Sequence, residues 1–253
     1  MDTSIKAIVL AAGKGTRLYA GGSDAPKVMR AACGKPLLWH VLNALSFIGK
    51  KDVIIVVGYK KDEVKDYFKG YIYAEQHEQM GTGHAVMAAE AELANYSNSV
   101  MVCYGDMPAV RRETYEALVQ AHYEQGNECT ILTGESSLRL PYGRIIRDEN
   151  GVFLQIVEER DCTQEQMNIT ELNSGVYIFR APPLFKALKS LKCDNTQGEY
   201  YLTDVPAIMR ADGAKVGIYK RDLDDEMVGV NTLTQLKQVE EIIMKRIEQP
   251  GYR

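Results

Sequence analysis

Along the first half of the chain, short runs in which almost every position is apolar alternate with longer stretches in which apolar residues recur every three or four positions. IKAIVL at residues 5–10, DVIIVVGY at 52–59, SVMVCYGD at 99–106 and CTILTG at 129–134 are of the first kind. PLLWHVLNALSFI at 36–48, KDEVKDYF at 61–68, and the segments from about His84 to Leu93 and from Arg112 to Gln125 are of the second. Continuous apolar runs suit strands buried on both faces of a sheet, and the longer spacing suits helices that lay one face on it. With a further short strand around Tyr71–Glu75, the alternation predicts βαβ units. The expected fold class is α/β: a Rossmann-like, three-layer arrangement with a mostly parallel mixed sheet.

After residue 134 the pattern changes. YGRIIRDENGVFLQIVEER at 142–160 puts two strand-like runs around Asp148-Glu149-Asn150-Gly151, a hairpin signal. A strand at 171–179, a helix after Pro182-Pro183, another after Tyr201, a strand at 215–219 and an amphipathic helix from about Thr232 to Ile247 follow. No Gly/Ser/Pro linker separates the halves. The expectation is therefore one domain over 1–253, with a first lobe at about 1–134, a smaller second lobe at about 135–230, a closing helix at about 232–247, and a cleft between the lobes for substrate.

Composition narrows the function. The 253 residues are 45% hydrophobic and 25% charged, with a net charge of −4. A chain that lives on nucleic-acid phosphates carries a basic excess, so nucleic acid is not an expected partner. No apolar run approaches a membrane span and the N-terminus lacks a leader pattern, which makes a cytoplasmic location the default. Five scattered cysteines without a C-x-x-C pair and four histidines without metal spacing argue against zinc and for reduced thiols.

Candidate chemistry begins where the first strand ends. Leu10-Ala11-Ala12-Gly13-Lys14-Gly15-Thr16-Arg17 places a glycine-rich turn at a strand's carboxyl end, where backbone N–H groups hold anions. It is neither a dinucleotide fingerprint, since Leu18 stands at the third glycine position, nor a P-loop. Small residues at 11–13 admit a ligand to the main chain, while Arg17 offers a fork and Lys27 a point charge for phosphate.

LAAGKGTR followed by Pro26-Lys27 resembles the signature of the sugar-nucleotide nucleotidyltransferases. Gln76 to Ala85, Tyr104-Gly105-Asp106-Met107-Pro108, Tyr142-Gly143-Arg144-Ile145, Ile156 to Glu159, Glu171 to Gly175, Gln197 to Asp204 and Val228 to Asn231 extend the likeness. In order and spacing they are similar to the uridyltransferase domain of the bacterial bifunctional N-acetylglucosamine-1-phosphate uridyltransferases, across almost the whole chain. The resemblance implies a glycosyltransferase A-like nucleotidyltransferase fold, UTP and a sugar 1-phosphate as substrates, and Mg²⁺ as cofactor. It implies catalytic roles for Arg17 and Lys27, and nucleotide contacts from Leu10, Ala11, Ala12, Gly13, Lys27, Gln76, Gly81 and Thr82. It further implies sugar contacts from Tyr104, Gly143, Glu158 and Asn173, and metal ligation by Asp106 and Asn231. Read without the family, Asp106 starts a turn, Asn231 caps the closing helix, Thr82 or Gly83 lies near a helix cap, and Glu158 belongs to a solvated strand end.

The chain departs from the family twice. The spacer Leu18 to Ala25 between Arg17 and Pro26-Lys27 is longer than usual and rich in Gly and Ser. No hexapeptide repeats of the acetyltransferase β-helix are present, so acetyl transfer and that mode of trimerisation are expected to be absent unless the chain is part of a longer polypeptide. The oligomeric state stays open. Transfer from CTP or dTTP, another sugar or alcohol phosphate, and a non-catalytic nucleotide-sugar sensor stand as alternatives.

Overall fold

The computed structural model describes residues 4–15, 24–136, 140–223 and 225–248. The first strand, β1 (Ile5–Ala11), runs up the middle of a nine-stranded sheet. A small hairpin, β2 (Ala31–Ala32) with β3 (Lys35–Pro36), leads into α1 (Leu37–Ala44). Then come β4 (Val53–Val57), α2 (Lys61–Tyr67), β5 (Ile72–Glu75), α3 (Thr82–Met87), β6 (Ser99–Tyr104), α4 (Arg112–Gln125) and β7 (Cys129–Glu135). The predicted hairpin is β8 (Arg144–Arg147) with β9 (Phe153–Val157). The remainder is β10 (Glu171–Arg180), α5 (Ala181–Leu188), α6 (Val205–Ala211), β11 (Val216–Arg221) and α7 (Leu233–Ile247).

The main path of the sheet is β11-β7-β10-β6-β1-β4-β5, with β8 on β10 and β9 on β8. Along it every pairing is parallel except the two made by β10, which runs antiparallel to β6 and β7. The fold is therefore mixed α/β with a mostly parallel sheet, as the apolar periodicity predicts. Alternate residues of each central strand serve opposite faces. Ile8, Leu10, Ile54, Val56, Val100 and Val102 pack under α3, α5 and α6, whereas Ala7, Val9, Ile55, Val57, Met101 and Cys103 pack under α1, α2 and α4. Each large apolar side chain so buried contributes about 2 kcal/mol.

Two element boundaries differ from the pattern. The helix expected from about His84 to Leu93 stops at Met87 and resumes only as a 3-10 turn, Ala91–Leu93. The helix expected after Pro182-Pro183 includes both prolines in its first turn, where a missing N–H leaves no bond unmade. The five cysteines are unpaired. Among the described residues no helix is long and apolar enough to cross a membrane.

What positions the site is the reversal of strand order at β1. The chain moves from β1 through β4 to β5 on one side, then returns to place β6 on the other. Such a switch leaves an uncovered crevice beyond the strands' carboxyl ends. Gly105, just after β6, donates its N–H to Leu10 O at 2.9 Å and draws the two strand ends together beneath that crevice.

Candidate functional site

A cavity of about 280 Å³ opens above these strand ends, and Leu10, Ala11, Ala12, Gly13, Lys27, Gln76, Gly81, Thr82, Tyr104 and Asp106 all line it. Among the described residues nothing lies within 4 Å of where a Cβ on Gly13 would stand, so they leave the main chain there open. A larger cavity of about 630 Å³ is lined by Leu140, Tyr142, Leu223 and Met227, but among the described residues no cationic side chain lines it. An anionic substrate is better matched by the smaller one.

Among the described residues, and against the carboxylates of Asp106 and Glu199, the one cationic side chain that lines it is Lys27. The residue opens a 3-10 turn, Lys27–Met29, and its ammonium reaches two oxygens at once. It forms an ion pair with Asp106 Oδ2 and donates to Asn231 Oδ1 at 2.7 Å. Asp106 follows β6, and Asn231 comes from the segment before α7, 204 positions along the chain from Lys27. The cap reading of Asn231 is corrected here. Thr232 is the N-cap of α7, in a capping box with Gln235, which leaves the Asn231 side chain to the site. Two protein oxygens converging on one cation are a sufficient share for Mg²⁺, which keeps several waters and takes its other ligands from phosphate. Asp106 and Asn231 therefore fit that ion. Among the described residues no group of three or more His, Cys, Asp or Glu gathers into an all-protein metal cage. Arg17 lies outside the described residues, as does most of the longer spacer. Asp24, near the spacer's end, pairs with Lys60 at 2.7 Å.

The Asn231 segment is held from three sides. Val230 N donates to Asp106 O at 3.0 Å. Tyr142 donates its hydroxyl proton to Met227 O at 2.8 Å and accepts from Gly229 N at 2.9 Å. Arg246 on α7, buried to 5% exposure, donates to Ala109 O at 2.6 Å and Asp225 O at 3.0 Å. Burial alone would raise the Asp225 carboxyl, but Arg246 and Arg111 outweigh it and hold the group below its ordinary value. An arginine in an amphipathic helix reads from sequence as a solvated charge, so Arg246 gives no signal of this clamp.

On the opposite wall, Gly81 is the N-cap of α3 and Thr82 its first residue, so Thr82 lies next to the cap, as expected. Gln76, 4% exposed, donates to Gly81 O at 3.0 Å and stands 3.2 Å from His84 Nδ1. Gly81 has φ +111°, and a Cβ on it would fall 2.6 Å from Tyr200 O and 2.8 Å from Tyr200 N. Those two backbone atoms are themselves fixed: Tyr200 N donates to Met80 O at 2.9 Å, and Gly83 N donates to Tyr200 O at 2.7 Å. The Thr82 hydroxyl oxygen accepts from Leu202 N at 3.0 Å. The Gln197 to Asp204 motif thus acts as a backing strip behind the Gln76 and Gly81 wall, a role its residue types do not announce.

Tyr104 joins this cavity to the second group of predicted residues. Its ring rests on Gly175, where any Cβ would meet it at 2.5 Å. Burial, then the nearby Glu158 charge, pushes its phenol well above the ordinary value. Glu158 itself is half-buried rather than solvated, which overturns the strand-end reading. Its Oε1 accepts from the Thr203 hydroxyl at 3.0 Å; burial first, then Asp204, Asp161 and Glu199, raises its pKa. Gly143 O accepts from Asn173 N at 2.9 Å. The Asn173 side chain is fixed at both ends, donating to Tyr177 OH at 2.7 Å and accepting from Gly175 N at 3.1 Å. A break in the β10–β7 register between Asn173 and Tyr177 makes that turn of the side chain possible. Each polar group keeps unused capacity: one amide hydrogen and one lone pair on Asn173, and one carboxylate oxygen on Glu158.

A family model described as the MobA-like NTP transferase domain matches residues 7–202. The bifunctional protein GlmU of Lactobacillus gasseri is 45% identical over 243 residues, which are 96% of this chain and 52% of that protein. GlmU of Clostridioides difficile is 42% identical over 247 residues, 97% of this chain and 53% of that protein. The chain spans about half the length of the curated relatives it matches. A crystal structure of UDP-glucose pyrophosphorylase complexed with UDP-glucose aligns with TM-score 0.77 at 20% identity, covering 95% of this chain and 98% of that one. At such an identity the likeness is one of fold.

Proposed function

The chain belongs to the family of MobA-like NTP transferase domains, and from that premise we propose that it transfers a uridylyl group from UTP to a sugar 1-phosphate, N-acetylglucosamine 1-phosphate foremost, with Mg²⁺. The products are the UDP-sugar and pyrophosphate. The observation that carries this reading is the meeting of Lys27, Asp106 and Asn231 beside a cavity walled by Gly13 on one side and Gln76 and Gly81 on the other.

A sugar phosphate oxygen attacks the α-phosphorus in line, a new P–O bond forms, and the bond to the β-phosphate oxygen breaks as pyrophosphate leaves. The nucleophile is already anionic, so alignment and charge neutralisation do most of the work. In this reading the main chain at Leu10 to Gly13 accommodates the nucleotide phosphates, and Lys27 with Arg17 offsets charge on the triphosphate. Gln76, Gly81 and Thr82 present fixed polar groups to the uracil edge, so a base with the wrong pattern leaves a buried group unpaired. Glu158, Asn173 and the Gly143 main chain take sugar hydroxyls and the N-acetyl group, with Tyr104 as the floor between the two subsites. Asp106 and Asn231 would hold Mg²⁺, which when bound supplies positive charge to the reacting phosphates.

The deciding experiment is pyrophosphate release with Mg²⁺, UTP, CTP or dTTP, and a panel of sugar 1-phosphates including N-acetylglucosamine and glucose. Preference for UTP with N-acetylglucosamine 1-phosphate supports the reading; preference for another pair overturns the substrate assignment and leaves the chemistry. An Asp106→Ala variant separates an enzyme from a sensor. Turnover is expected to fall by orders of magnitude with the fold intact, and unchanged turnover removes Asp106 from the site.

A further inference from the structure

We propose that Lys27 is a built-in counter-cation: before nucleotide arrives its ammonium holds the place between Asp106 and Asn231 that the divalent ion takes in the working complex, so that lysine and metal exclude one another there. The proposal rests on the reading of Asp106 and Asn231 as the metal's protein oxygens.

Three features carry it. The ammonium contacts both Asp106 Oδ2 and Asn231 Oδ1, rather than one of them or solvent. The pair is sheltered, with the Lys27 and Asp106 side chains only 14% and 18% exposed, so their attraction is screened far less than at an open surface. The lysine's base is also fixed. Its main chain is tied into the 3-10 turn, with Arg30 N donating to Lys27 O at 3.1 Å and Met29 N to Pro26 O at 2.9 Å, so the ammonium leaves by a turn of the flexible stem.

The consequence is an order of events. A free divalent ion must evict a cation already held by two oxygens and leave that cation with no new partner. An ion that arrives on a triphosphate brings the phosphate oxygens that the displaced ammonium then meets. Metal binding and nucleotide binding are therefore positively coupled through Lys27, and the coupling is reciprocal. The same swing that clears the metal's place delivers Lys27 to the phosphates.

The test uses Mn²⁺ without nucleotide, followed by the electron paramagnetic resonance signal of the free ion. Wild type is compared with Lys27→Met, which keeps the stem and removes the charge, and with Lys27→Gln as the second variant should the first fail to fold. Freed from its competitor, the Asp106 site is expected to bind Mn²⁺ about tenfold more tightly in the variant, and adding Asp106→Asn is expected to abolish the gain. Unchanged or weaker Mn²⁺ binding in the Lys27 variants overturns the proposal if Asp106→Asn still weakens Mn²⁺ binding in the presence of UTP. If Asp106→Asn has no effect there either, the metal assignment itself has failed and takes this proposal with it.

Discussion

Replacing Gly81 by alanine tests the backing strip behind the nucleotide wall. The new Cβ would fall 2.6 Å from Tyr200 O, and restoring ordinary contact requires a separation of about 0.8 Å. Neither side is free to move, because Tyr200 N and O are bonded to Met80 O and Gly83 N across the same gap. The backbone at φ +111° is also one that alanine rarely adopts. Strain of this kind costs 1–3 kcal/mol, and loss of one of the two bridging hydrogen bonds adds about 1 kcal/mol. A total of roughly 3 kcal/mol in a chain of this length lowers Tm by about 10 °C. Displacement of the wall by most of an ångström is expected to lower kcat/KM for UTP about 100-fold, read by continuous pyrophosphate release. Gly13→Ala is the counterpart. With nothing among the described residues within 4 Å of its Cβ, it should leave stability within about 0.5 kcal/mol of wild type while raising KM for the nucleotide whose phosphates need that space. A Gly81→Ala protein with wild-type KM and Tm, or a Gly13→Ala protein that melts early, would refute this account of the two glycines.

Two further outcomes follow from buried polar groups. Tyr177→Phe removes the hydroxyl that anchors the Asn173 amide at 2.7 Å; KM for the sugar phosphate should rise about tenfold with KM for UTP unchanged, and an equal change in both would mean a general structural role. His122, 1% exposed between Ser99 Oγ at 2.9 Å and Thr130 Oγ1 at 2.8 Å, is held at a pKa of about 4 by burial first and then by Arg180. Because the unfolded chain takes up this proton first, the stability is present above about pH 6.5 and is lost as pH falls towards 4, by roughly 3 kcal/mol in all. Urea melts across that range check it, and a His122→Asn protein with the same pH slope would rule His122 out as the cause.

How much of this the sequence discloses depends on the range of the interaction. Strands such as 53–57 and 99–104 are legible because burial on both faces forces nearly every residue to be apolar, and the turn at 148–151 because its chemistry is local. The grouping of Leu10 to Gly13, Gln76, Gly81 and Thr82 is legible from motif resemblance, and the fold brings them around one cavity, whose use for a nucleotide is the proposal. The cap of α7 was misread by one residue, since Asn and Thr are both good caps and only the Gln235 partner decides between them. Tyr200, Tyr142 and Arg246 stay hidden because each acts through partners far away in sequence, and Tyr177 because its partner Asn173, four positions back, faces it only through the register break in β10. Tyr200 pins residues 80–83, Tyr142 reaches 227–229, and Arg246 reaches 109. No local pattern records such pairings.

The clamp made by Arg246 also bears on biosynthesis. Lys27 and Asp106 emerge early from the ribosome, but their third partner stands 204 positions after Lys27 and is fixed only when α7 docks on residue 109. Contacts of that separation form late, since chain closure must precede them. At translation speeds of about 5–20 residues per second, the nascent chain spends several seconds with its central strands made and the cluster of Lys27, Asp106 and Asn231 unfinished. The α/β framework can therefore fold before that cluster is assembled.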